Sequence, residues 1–109
     1  MKIAIVGSRN VTIDNIANYI TNQDELVSGG AVGVDQCVAA YARNNGTKIT
    51  EFLPQYEIYG RAAPIVRNRQ IVEYADEIIA FWDGKSKGTL SVIKYAKKIA
   101  KPCRVIICK

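Results

Sequence analysis

Three short stretches of this chain combine small and polar residues in a way that suits an anionic ligand. They are Gly7-Ser8-Arg9-Asn10, Ser28-Gly29-Gly30-Ala31-Val32-Gly33-Val34-Asp35 and Asp83-Gly84-Lys85-Ser86-Lys87-Gly88-Thr89. The second follows the apolar pair Leu26-Val27 and precedes Val34, Cys37, Val38 and Tyr41, which repeat at helical spacing. A strand therefore enters a helix through a turn with almost no side chains. Such a turn lets backbone N–H groups approach a ligand with no Cβ in the way. It also aims a helix's unpaired donors and partial positive charge at that ligand. Phosphates suit the position, and Arg9, Lys85 and Lys87 supply countercharge.

Further residues bear on the same site. In the helical stretch after Pro64, steps of about 100° per residue group Ile65, Ile71, Val72 and Ala75 on one side, with Asn68 in the middle. An amide there either satisfies a buried backbone group or reaches a ligand near the helix start, with Arg67 and Arg69 at the edges of the stripe. Asp35, in the first turn of its helix, either complements the positive helix end, accepts from a ribose hydroxyl, or orients Arg9. Trp82 and Phe81 end an apolar strand; because strand residues alternate faces, one is placed to stack on a base and the other belongs to the core. The candidate catalytic groups are Arg67, Asp35 and Asp83, with Glu57 as a further carboxylate. The chain has no histidine, which excludes Ser-His and Cys-His catalysis and argues against a zinc site.

The elements that must position these residues alternate along the chain. Strands are expected at Ile3–Val6, Glu25–Ser28, Lys48–Leu53, Glu77–Trp82 and Cys103–Cys108. Helices are expected from Thr12 through Ile20, Gly33 to Asn44, Pro64 to Tyr74 and Thr89 to Ala100, the last with Val92, Ile93, Ala96, Ile99 and Ala100 inward. Pro64 fits a first helical turn. Pro54 to Ala63, with Tyr56, Tyr59 and Arg61, reads as a long loop of the kind that is often functional. This β-α alternation implies an α/β fold: a doubly wound, Rossmann-like, five-stranded parallel sheet of order 3-2-1-4-5 with helices on both faces. Ligands in such sheets bind beyond the C-terminal strand ends, at the switch point, here between the first and fourth strands. All three polar turns converge there.

Composition is that of an ordinary soluble domain, 49% hydrophobic and 23% charged over 109 residues, read as a single domain from 1 to 109. No apolar run nears the length of a membrane span, and the N-terminus reads as a strand, so a cytoplasmic protein without membrane association is expected. Cys37, Cys103 and Cys108 lack any C-x-x-C spacing and read as buried free thiols. The net charge of +5 is uneven: residues 1–83 balance to −3 and residues 84–109 to +8. Lys94, Lys97, Lys98 and Lys101 form either the wet face of a last helix or a surface for a polyanion.

Gly7-Ser8-Arg9, Ser28-Gly29-Gly30-Ala31-x-Gly33-x-Asp35, Arg67-Asn68 and Ala80-Phe81-Trp82-Asp83-Gly84-x-Ser86-x-Gly88-Thr89 resemble the SLOG superfamily. That group joins the DNA-processing DprA (Smf) proteins and the LOG phosphoribohydrolases, and the likeness is to its small stand-alone bacterial or phage members. The resemblance implies a Rossmann-like domain that binds nucleotides or nucleotide-derived ligands. LOG enzymes cleave an N-glycosidic bond of a modified nucleoside monophosphate and carry Gly-Gly-x-Gly-Thr-x-x-Glu. Here Gly88-Thr89 matches the Gly-Thr, Val92 stands at the Glu, and Lys85 to Lys87 replace the glycine run. The match to DprA is mainly Ser28 to Asp35, a region associated there with single-stranded DNA.

Three functions fit these residues. The first is a binding module or sensor for a nucleotide derivative, with phosphate on the amides of Gly29 to Gly33 and Lys87 to Thr89 and no required cofactor. The second is a LOG-like nucleotide N-glycosidase using Asp35, Asp83 or Glu57. The third is DprA-like binding of single-stranded nucleic acid through the basic C-terminal segment and the tyrosines. A homo-oligomer is also expected, with Tyr56, Ile58 and Tyr59 at the interface.

Overall fold

Along β1 (Lys2–Gly7) successive side chains leave on opposite faces. Ile3 and Ile5 enter one core, and Ala4 and Val6 enter another. The computed structural model describes the chain except residues 9–10, 12–15, 21–24, 30–33 and 109, and the side chains of 17, 34 and 35. It contains β2 (Glu25–Ser28), β3 (Lys48–Glu51), β4 (Glu77–Trp82) and β5 (Cys103–Ile107). The five strands form one all-parallel sheet in the order β3-β2-β1-β4-β5. The fold is therefore the expected Rossmann-like α/β sheet. The chain runs outward from β1 to β3, then crosses back to place β4 beside β1, register Ile5 to Ile79.

The helices are α1 (Val34–Asn45), α2 (Tyr56–Tyr59), α3 (Ala63–Tyr74) and α4 (Lys87–Lys98). Val38 and Ala42 of α1, with Ile16 and Ile20, cover Ile3, Ile5, Leu26, Ile79 and Phe81. On the other face Ile71 and Val72 of α3, with Val92 and Ala96 of α4, cover Ala4, Val6, Val27, Ile78 and Ala80. The α3/α4 face carries the smaller strand residues, which lets both helices sit close. Each fully buried Ile, Val or Leu contributes roughly 1.5–3 kcal/mol.

Several boundaries differ from the expected ones. Of the first expected helix, residues 12–15 lie outside the described residues, and the described part is a 3-10 turn at Ile16–Asn18. Asn and β-branched residues propagate a helix poorly, yet Ile16 and Ile20 still reach the core. β3 ends at Glu51, two residues before Leu53, although the Phe52 amide still donates to Ser28 O (2.8 Å). The expected loop at 54–63 is largely helical: Gln55 O accepts from Ile58 and Tyr59 (3.1 and 3.0 Å), forming α2, and a 3-10 turn at Gly60–Ala62 leads into α3. α4 starts at Lys87, capped by Ser86, and ends at Lys98. Ile99 and Ala100 are consequently exposed and not inward; Ala100 turns the chain with φ 58°. Cys37, Cys103 and Cys108 are free but half-buried, because the last two lie on or beside an edge strand. Burial pushes the Cys103 thiol up from its ordinary range. Among the described residues, no helix is long and apolar enough to cross a membrane.

Candidate functional site

A cleft of about 520 Å³ opens beyond the C-terminal ends of β1 and β4, where strand order reverses. Three elements build it. The end of β1 contributes Gly7 and Ser8; the first three turns of α3 contribute Pro64, Arg67, Asn68 and Ile71; the β4–α4 turn and the start of α4 contribute Asp83, Lys85, Ser86, Gly88 and Thr89. Gly29, just past β2, completes one wall, and Val6, Ile71 and Val92 give an apolar lining.

The β4–α4 turn is held by its own side chains. Asp83 Oδ1 accepts the amides of Lys85 and Ser86, both at 2.8 Å. Those two bonds, Ser86 first, hold the Asp83 carboxyl below its ordinary range. Gly84 takes φ 82°, which suits glycine. Ser86 then caps α4: its Oγ accepts the Thr89 amide (3.4 Å) and its carbonyl accepts the Leu90 amide (3.2 Å). Among the described residues, a Cβ at Gly88 would meet nothing within 4 Å, so they leave the space over this helix start open.

The two sides of the switch point are tied together at Ser8, which is 2% exposed. Its amide donates to Phe81 O (3.1 Å), its Oγ accepts the Asp83 amide (3.3 Å), and the same Oγ lies 3.5 Å from Thr89 Oγ1. Opposite stand Arg67 and Asn68. Arg67 donates from Nε to Asn68 Oδ1 and from Nη1 to Gly29 O, each at 2.9 Å. Asn68, 8% exposed, donates from Nδ2 to Gly88 O at 3.5 Å. Arg67 Nη2 has no hydrogen-bond partner among the described residues, so the guanidinium is braced with donors to spare.

The structure thus gathers ten of the residues named from sequence: Gly7, Ser8, Gly29, Arg67, Asn68, Asp83, Lys85, Ser86, Gly88 and Thr89. Five others are placed elsewhere. Ser28 is fully buried and does not line the cleft. Lys87 faces a separate groove between α3 and α4. Trp82 lies behind the turn, its indole Nε1 donating to Ser86 O (3.0 Å), while Phe81 meets the Tyr19 ring edge-on in the core. Glu57 is exposed on α2 and does not line the cleft. Arg9, Asn10, Gly30, Ala31 and Gly33 lie outside the described residues, as does the side chain of Asp35.

Sequence reasoning read Val6 and Ile71 only as core, Val92 as a core residue at the position of the LOG Glu, and Pro64 only as a helix start. The place of Pro64 and Ile71 in the cleft follows from Asn68: they stand four before and three after it, on one helix face. Among the described residues, no group of three or more Cys, Asp or Glu could hold a metal ion. Among the described residues, Asp83 is the only carboxylate lining the cleft. Compared with models of known protein families and with curated proteins, the chain matches none.

Proposed function

We propose that this protein binds a nucleotide or nucleotide-derived ligand in the cleft, as a sensor or binding module. One observation carries the reading: an arginine braced on Asn68 and Gly29, with donors to spare among the described residues, lines the same switch-point cleft as the capped start of α4. A ligand phosphate would lie between Arg67 and the first amides of α4, where helix polarity and a charge-assisted hydrogen bond act together. The apolar lining of Val6, Pro64, Ile71 and Val92 would receive a less polar part of the ligand. Asp83, ionised and with one oxygen already engaged, would repel phosphate and instead accept from a sugar hydroxyl. The volume lies within the usual range for small-molecule sites, about 300–1,000 Å³.

Binding is favoured over N-glycosidic hydrolysis because Val92, 2% exposed, occupies the place of the carboxylate that the LOG resemblance would require. That carboxylate would stabilise an oxocarbenium-like centre, and Asp83 is committed to shaping its turn.

Titration calorimetry with AMP, adenosine and inorganic phosphate tests the proposal. AMP should bind more tightly than adenosine, and Arg67→Ala should weaken AMP by about tenfold or more, the worth of a hydrogen bond to a charged group, while leaving adenosine little changed. Equal affinities for AMP and adenosine, or an Arg67→Ala variant that binds AMP unchanged, would overturn it. Release of free adenine from AMP would reassign the cleft to hydrolysis.

A further inference from the structure

Large apolar side chains stand exposed through one segment: Leu53, Tyr56, Ile58, Tyr59 and Ile65, each between 40% and 67% exposed. Scattered exposed apolar residues are normal, but a contiguous set is the mark of an interaction surface. The segment is built, not loose. α2 is closed by two hydrogen bonds to Gln55 O, yet it buries none of its residues. Its polar character is weakly acidic: residues 51–65 contain Glu51 and Glu57 against the single cation Arg61.

A second surface on the same chain has the opposite sign. The groove of about 430 Å³ between α3 and α4 is lined by Ile65 and Leu90 together with Arg69, Lys87, Lys94 and Lys98. Residues 87, 91, 94 and 98 of α4 fall on one helix face. Glu73, on α3, is already engaged: its Oε2 accepts from Tyr95 Oη at 2.6 Å, and Arg69 lies over that tyrosine's ring. Among the described residues none of the four cations has an acidic partner within 4.0 Å. Ile65 belongs to both surfaces, so they are continuous.

We propose that the acidic, apolar α2 segment of one copy docks in the cationic α3/α4 groove of a second copy. A two-fold axis makes the contact twice, α2 of each copy entering the groove of the other. A second copy is the occupant because it satisfies both surfaces at once, in charge and in apolar contact. Any other partner would cover one and leave its complement bare. The groove adjoins the cleft, since Pro64 and Gly88 line the cleft while their neighbours Ile65 and Lys87 line the groove. The proposal does not depend on what the cleft binds.

Sedimentation equilibrium of the full chain over a range of concentrations and salt tests it. The expected result is a dimer that weakens as salt rises, because rim charges are screened. Charge reversal on either side, Glu51→Lys with Glu57→Lys or Lys94→Glu with Lys98→Glu, should raise the dimer Kd by about tenfold or more. Circular dichroism should show both variants folded. Mixing the two variants should restore a dimer, because each α2 then meets a groove of opposite sign. A wild-type chain that is monomeric at every concentration overturns the proposal. So does a dimer indifferent to both reversals, or a mixture that does not recover. A monomer that binds oligothymidylate only while Lys94 and Lys98 are present would give the groove to a polyanion instead.

Discussion

Glu25 is the residue on which acid stability turns. It begins β2, is 6% exposed, and accepts from Thr50 Oγ1 (2.6 Å) and Tyr74 Oη (2.5 Å), with Lys48 Nζ at 3.2 Å. These partners, Thr50 foremost, lower its carboxyl from 4.5 to about 2. The native state therefore gains from the ionised carboxylate, and the gain is whole above pH 4.5. As pH falls from there through about 2, the unfolded chain binds the proton first and the gain is lost. Glu25→Gln should flatten this acid limb in urea-unfolding curves taken between those values, while the AMP binding proposed for the far end of the strands stays unchanged. An unaltered acid limb would remove Glu25 from this role. Nothing in the sequence pointed to it: a lone Glu at a strand start is ordinary, and Thr50 and Tyr74 approach it only through β2–β3 pairing and the packing of α3. Asn68 was legible because its helix supplies the periodicity that a strand terminus lacks.

At the level of elements, strands and long helices were readable because each has a clear apolar period: β2 and β4 run as expected, and α3 begins one residue early. The short pieces were not. α2 buries no residue, so it leaves no periodic trace, and its turn rests on backbone bonds to Gln55 that any sequence can make. The end of α4 was misjudged because Ile99 and Ala100 continue the apolar pattern up to Pro102, and only the backbone shows Ala100 in the left-handed region. An L-residue with a Cβ costs roughly 1–2 kcal/mol there. Ala100→Gly should accordingly stabilise the chain, by about 0.5–1 kcal/mol after the entropy that glycine adds to the unfolded state. Thermal unfolding should show a raised Tm; a lowered one would mean that the turn after α4 is not strained.

For the molecule as a whole, the sheet separates two tasks. Its N-terminal strand ends hold the Glu25 network, and Asp76, which accepts the Lys2 amide at 2.7 Å, secures the same end. Its C-terminal ends hold the cleft, so changes that alter stability at one end leave the proposed binding at the other untouched. The order of strands followed from alternation alone, since parallel neighbours require crossovers and one long crossover locates the switch point. The detailed shape of the cleft did not, because it depends on how far Arg67 reaches to Gly29, 38 residues away in sequence.

The hydrogen bond from the Trp82 indole to Ser86 O has an optical consequence. Trp82 is the chain's sole tryptophan, and its N–H is bonded to the residue that caps α4. Emission from this protein is therefore governed by one ring, attached directly to the turn that forms a wall of the cleft. AMP settling on that turn should change the intensity or wavelength of tryptophan fluorescence without any label. Calorimetric binding with unchanged emission would place the ligand away from Ser86 to Gly88. The ring that the sequence offered as a stacking surface would thereby report on the turn to which its N–H is bonded.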